Sequence, residues 1–212
     1  MRILFLNPNA TEAMTDSIVS VAKTAAADVD ILGWTNHSGP AAIQGPEDGE
    51  RAISGLMDLL PSAKAEKADV IVIGCFDDTG LDALHAAAHC PVIGIGQAGM
   101  AIAALYGGRF GVVTTLAVSV PVIEDNVMTY GHQMACAGVF ASGLPVLEVE
   151  AGGAHVTQRL LETITVGKNA GAHALVLGCA GMARLKPELA LKSNAVLVDG
   201  VSASVNLAHA LV

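Results

Sequence analysis

The amino-acid sequence predicts an α/β protein of two pseudosymmetric lobes, each a parallel sheet flanked by helices, with the active site at the lobe interface. Short apolar strands alternate with helical stretches through nearly all of the 212 residues. Apolar residues make up 52% of the chain but aromatics only 3%. Its core is therefore built from Val, Ile, Leu and Ala, as buried parallel sheets are. Two unrelated landmarks also recur at almost one spacing. "RILFLNPNAT" at 2–11 is echoed by "RFGVVTTLAV" at 109–118, an offset of 107. "DVIVIGCFDDTG" is echoed by "HALVLGCAGM", whose cysteines lie 104 apart. A shared offset of half the chain length reads as a duplicated lobe. We place the first lobe at 1–96 and the second at 97–212, with the C-terminus crossing back onto the first.

The elements follow in order. The first apolar run, 2–6, breaks at Asn-Pro-Asn and so reads as a strand and not a leader peptide. Thr11 stands where a helix cap belongs, and Glu12 suits the first turn of a helix over 11–26. Further strands are predicted at 30–34, 68–73, 92–94, 110–114, 145–149, 174–177 and 195–198. Helices are predicted at 47–65, 81–88, 97–106, 119–130, 154–170 and 201–211. The 23 glycines supply tight strand-to-helix turns.

Charge and composition exclude several functions. A net charge of -9 without any Lys/Arg cluster argues against a nucleic-acid partner. No apolar run is long enough to cross a bilayer, so no membrane partner is expected and the chain reads as cytoplasmic. Cys75, Cys90, Cys136 and Cys179 lie far apart without CxxC spacing, which points to free thiols in a reducing compartment and to no structural zinc. "GIGQAG" at 94–99 matches GxGxxG, but the next strand ends in threonines where a dinucleotide site needs an acid. Gly94, Gly96 and Gly99 are therefore assigned to tight turns, and no cofactor is expected.

Cys75 and Cys179 are the candidate catalytic groups, each following a glycine at a strand end. Open α/β sheets bind ligands at the carboxyl ends of their strands, so a duplicated fold brings both sulfurs into one cleft. Backbone N–H groups and a helix terminus there would favour a thiolate. Two opposed sulfurs, one charged and one protonated, suit removal of a proton from one face of a carbon acid and its return on the other. The enolate-like intermediate needs donors at its oxygen, not a metal. Asn7, Asn9, Thr114 and Thr115 close the other two echoed strands and are candidates for holding an amide, imide or carboxylate. Phe76 reads as pocket wall, whereas Asp77 and Asp78 read as caps for the helix near Leu81. His85 and His89 share a helix face at a metal-compatible spacing, but without a third ligand. Cys90 and Cys136 are assigned structural roles.

Taken together, "NPN" at 7–9, "GCFDDTGLDA" at 74–83, "FGVVTT" at 110–115 and "LGCAGM" at 177–182 resemble the Asp/Glu/hydantoin racemase superfamily, most closely its hydantoin and allantoin racemase branch. The resemblance implies cofactor-independent, two-base racemisation of 5-substituted hydantoins or allantoin, small cyclic ureides. It implies Cys75 and Cys179 as the catalytic pair, with Asn9, Phe76, Thr114, Thr115 and Gly178 around the substrate. Members commonly form homo-oligomers. Three departures from the branch pattern stand out: Gln97 in "GIGQA" and Gln44 in "AAIQGPED" replace acids, and Val118 replaces a basic residue. A related amino-acid racemase, decarboxylase or cis-trans isomerase, or a non-catalytic binding protein, is the alternative. The second cysteine argues against a decarboxylase, and the lack of convergent Arg/Lys weakens an amino-acid racemase.

Overall fold

The computed structural model describes residues 1–212. In chain order the elements are β1 (Arg2–Asn7), α1 (Glu12–Ala25), β2 (Asp30–Thr35), α2 (Pro46–Ala65), β3 (Val70–Ile73), α3 (Leu81–Ala87), β4 (Val92–Gly94) and α4 (Ile95–Ala104). The second half repeats this order with one added helix between its second and third strands, as β5 (Arg109–Thr114), α5 (Val120–Thr129), β6 (Cys136–Ala141), α6 (Val146–Ala151), α7 (Ala154–Asn169), β7 (Ala172–Leu177), α8 (Lys186–Ser193), β8 (Val196–Asp199) and α9 (Gly200–Ala208). The strands form two four-stranded parallel sheets of identical topology, β2-β1-β3-β4 and β6-β5-β7-β8. The predicted two-lobed α/β architecture is the observed one.

Strand periodicity decides where each side chain goes, because successive residues point to opposite faces. Ile3, Phe5, Val70 and Val72 of the first sheet join Phe110, Val112, Ala174 and Val176 of the second in one core shared by both lobes. Helices α1, α4, α5 and α9 contribute Ile18, Met100, Ile123 and Val205 to it, so these four helices are sandwiched between the sheets. The alternate residues Leu4, Leu6, Ile71 and Ile73 pack with Leu56 and Leu60 of α2 and Leu84 of α3. Val113, Leu175 and Leu177 pack outward with Leu160 and Ile164 of α7 and Leu189 of α8. Burying each Leu or Ile contributes about 1.5–3 kcal/mol, and the shared core ties the two lobes into one unit.

Two predictions need correction. Residues 145–149 do not form a strand. Pro145 sits at the N-cap of α6, with Val146 and Val149 buried three apart on one face. The apolar alternation of "PVLEV" thus also fits a helical stripe, and the proline start selects the helix. The missing strand is β6, whose sequence "CAGVFA" is half-buried along its whole length at the sheet edge. Its Ala and Gly content gives it little strand signature, and its pairing with β5 shifts register beside Phe110. The short helix α8 and a 3-10 turn at Ala180–Leu185 were also outside the sequence reading.

Candidate active site

Each cysteine is delivered by the same backbone construction. Gly74 lies just past β3 and donates its N–H to the Leu6 carbonyl at 2.8 Å, and Gly178 past β7 donates to Val113 at 2.7 Å. Leu6 and Val113 are the penultimate residues of β1 and β5, so this bond is common to the two halves. A Cβ on Gly178 would lie 2.8 Å from the Val113 oxygen, and one on Gly74 would lie 2.9 Å from the Ile18 side chain. At Gly178 the backbone of the neighbouring strand leaves no room for a side chain, whereas at Gly74 the tight contact is with the tip of Ile18.

The strand ends meet in a cleft between the lobes with about 350 Å³ of unoccupied space, partly open to solvent. Cys75 and Cys179 both line it, as do Asn9, Phe76, Thr115 and Gly178. Thr114 does not; its hydroxyl donates to the Gly178 carbonyl at 3.3 Å and so braces the turn behind the wall. Phe76 forms part of the wall, but its ring is buried in the shared core with one edge near Gly99. Sequence reasoning missed Met14 of α1, Val146 at the start of α6, and Ile43 and Ser119 from the segments before α2 and α5, none of which has a motif to mark it.

Asn9 is held by its carbonyl end. Its Oδ1 accepts the Thr11 N–H at 2.9 Å and the Asn7 Nδ2 at 3.1 Å, which leaves its amide NH2 with only the Met14 sulfur at 3.5 Å. A weak acceptor in that place leaves a donor available to a ligand. Asn7 is directed inward, donating also to Thr15 Oγ1 at 3.0 Å, so it supports Asn9 and does not line the cleft. Thr11 occupies the N-cap position of α1, but its hydroxyl donates instead to the Ala41 carbonyl at 2.7 Å.

Neither aspartate caps α3. Asp78, in a left-handed conformation with φ of 51°, turns its carboxylate onto the start of α4. There it accepts the N–H of Gly96 at 2.8 Å, the N–H of Gln97 at 2.7 Å and the hydroxyl of Tyr130 at 2.8 Å. A Cβ on Gly94 or Gly96 would strike that carboxylate. The GxGxxG stretch is therefore an anion site filled by the chain's own aspartate. Asp77 stays at the cleft, with Ser119 beside it and its Oδ2 buried without a hydrogen bond. Helix α5 grips this loop from the second lobe, since Asn126 Nδ2 donates to the Asp77 carbonyl at 3.0 Å. His85 and His89 each donate a ring N–H to a backbone carbonyl, Val92 at 2.9 Å and Ala68 at 3.0 Å, which gives the pair a structural role. No three His, Cys, Asp or Glu side chains gather as a metal-binding group.

Both thiols are harder to ionise than an ordinary cysteine. Burial pushes Cys75 well up, and the Asp77 charge adds to this. The Asp77 N–H and the Thr79 hydroxyl pull the other way; that hydroxyl has no hydrogen bond of good geometry. Burial pushes Cys179 up to about 12, against the Gly181 and Met182 N–H groups. The donors expected at the strand ends are present, but desolvation outweighs them. No α-helix starts at either sulfur: α3 begins six residues after Cys75, and Cys179 opens into the 3-10 turn.

Two sheets of one topology, each delivering a thiol to a common interlobe cleft, define a class of paired α/β lobes with a two-cysteine site. The family model described as Asp/Glu/Hydantoin racemase matches residues 3–208, and the chain belongs to that family. It is 39% identical to the hydantoin racemase of Rhizobium meliloti over all of this chain and 88% of the relative. The structure of the allantoin racemase from Klebsiella pneumoniae superposes with a TM-score of 0.94 at 35% identity, covering 100% of this chain and 87% of that one. The allantoin racemase from Pseudomonas fluorescens gives 0.93 at 31% identity, covering 100% and 90%. No helix is long and apolar enough to cross a membrane.

Proposed function

We propose that the protein racemises 5-substituted hydantoins or allantoin by moving protons between Cys75 and Cys179, without a cofactor. The observation that carries this reading is that the two cysteines end equivalent strands of matching sheets and line the same cleft. In the mechanism, the thiolate of one cysteine removes the C5 proton and leaves an enolate. The thiol of the other protonates the opposite face, which inverts the centre. The roles exchange for the other enantiomer.

Burial that opposes ionisation also makes the thiolate a stronger base once formed, closer in strength to a carbon acid. In this reading the Asn9 NH2, whose one partner is the Met14 sulfur, and the Thr115 hydroxyl donate to the ring carbonyls, and Phe76 and Gly178, which also line the cleft, shape its walls. Thr114 acts by holding Gly178. No Lys or Arg lines the cleft to pair with an α-carboxylate, which favours a neutral ring over a free amino acid.

The test is a polarimetric screen of optically pure hydantoins, allantoin, aspartate and glutamate in deuterated water. Loss of rotation with deuterium incorporation at C5 is expected for the cyclic ureides alone. Racemisation of the amino acids instead would overturn the substrate assignment.

A further inference from the structure

We propose that Asp77 is a further catalytic residue, whose carboxyl takes the proton released when one cleft thiol ionises and, as the neutral acid, hydrogen-bonds the enolate oxygen. The inference rests on the function proposed above. The neighbouring aspartates make the contrast. Asp78 is saturated by three donors, while Asp77 Oδ2 is buried with none, in a loop pinned through its carbonyl by Asn126. A buried carboxyl oxygen without a partner is costly, so its persistence at a cleft wall calls for a ligand. Asp77 borders both the reaction cleft, which holds the two sulfurs, and an adjoining cavity that is open to solvent, with about 440 Å³ of unoccupied space.

Charge decides its protonation state. The titratable groups facing Asp77 are Cys75 and Asp78 on its own loop, Cys179 at the end of β7 and Glu50 of α2 across the adjoining cavity. All are acids, and no Lys, Arg or His lines either space. Such a cleft favours one negative charge over two. When a sulfur carries that charge, Asp77 is a carboxylic acid. The step balances: S–H plus carboxylate becomes thiolate plus carboxylic acid, and the thiolate then takes the C5 proton while the acid's O–H faces the new oxyanion. A neutral carboxylic acid in an apolar site is an effective donor to such an oxygen. Burial, with Ser119 pulling the other way, holds the Asp77 carboxyl up to about 7, so its proton is exchangeable at neutral pH.

This arrangement has a pH signature. Once Asp77 has ionised, more alkali cannot raise the population of the thiolate–acid pair, because that pair and the resting state hold the same number of protons. With an amide at position 77 the ceiling disappears, and the thiolate population climbs about tenfold per pH unit until the thiol titrates.

The experiment compares the wild type with Asp77→Ala and Asp77→Asn from pH 6 to 9, by racemisation kinetics and by iodoacetamide alkylation of Cys75 and Cys179 read by mass spectrometry. Asp77→Ala is expected to lower kcat about 10²–10³-fold with little change in KM. Asp77→Asn, which keeps an N–H donor, is expected to stay within about tenfold of wild type at pH 7. Its kcat/KM and alkylation rates should keep rising to pH 9 where those of the wild type level off. Wild-type kcat in Asp77→Ala, or superimposable pH profiles for Asp77→Asn and wild type, overturns the proposal. The alkylation arm needs no substrate. A wild type that racemises nothing therefore defeats the function reading, while the alkylation profiles still decide whether Asp77 and the thiols share a proton.

Discussion

Gly96→Ala tests whether the start of α4 positions the Cys75 loop. A methyl group there would lie 2.3 Å from the Phe76 carbonyl oxygen and 2.7 Å from Asp78 Oδ2. An unstrained carbon–oxygen contact is about 3.3 Å, so the loop carrying Cys75 to Asp78 must retreat by about 1 Å. Misplacing a reacting group by that much costs roughly 10²-fold in rate. The retreat also weakens the 2.8 Å bond from the Gly96 N–H to Asp78. Losing it costs about 1–3 kcal/mol, offset by about 1 kcal/mol of helix propensity gained by alanine. The expected variant is folded, at most about 2 kcal/mol less stable, and about 100-fold slower in kcat/KM.

Gly49→Ala is the control. It lies in α2 on the other side of the same loop, and its methyl would meet Thr79 at an ordinary 3.7 Å. Activity should be unchanged, with stability up by about 0.5–1 kcal/mol. The assays are polarimetric racemisation and urea unfolding followed by circular dichroism. A folded Gly96→Ala with kcat/KM within twofold of wild type would refute the reasoning, because the loop would then have absorbed the methyl without moving the sulfur.

Three further outcomes are expected. Cys75→Ser and Cys179→Ser should each lower racemisation by about 10³-fold or more, and full activity in either defeats the two-thiol mechanism. Burial raises both Asp77 and Asp78 from 3.8 to about 7 in the folded chain. Their stabilisation is therefore complete below about pH 4 and is lost as pH rises through 7. Between pH 5.5 and 8 each should remove about 2 kcal/mol, and a urea midpoint that rises over this interval contradicts it. Gln44 Oε1 accepts the Val146 N–H at 3.0 Å, joining the lobes where Ile43 and Val146 line the cleft. Gln44→Ala should lose about 1 kcal/mol of stability and raise KM more than it lowers kcat; an unchanged KM would show that this link does not shape the cleft.

The duplication and the position of both cysteines were legible in the chain because strand ends, Gly-Cys turns and a repeated offset are local features. Buried parallel strands must be apolar, and a ligand site must lie at their carboxyl ends, so Cys75 and Cys179 could be placed before any coordinates. Asn9 and Thr115 followed from the same logic. Edge strand β6 did not, because Ala and Gly in a half-buried strand leave no period to detect, and "PVLEV" satisfies two periods at once. Tertiary structure alone decided the fates of the two aspartates. Adjacent in sequence and alike in chemistry, they part because a left-handed turn at Asp78 swings its carboxylate onto a distant helix start, while Asp77 faces the opposing lobe. It likewise decided that desolvation outweighs the N–H donors at both sulfurs, since burial depends on what the whole chain packs around a residue.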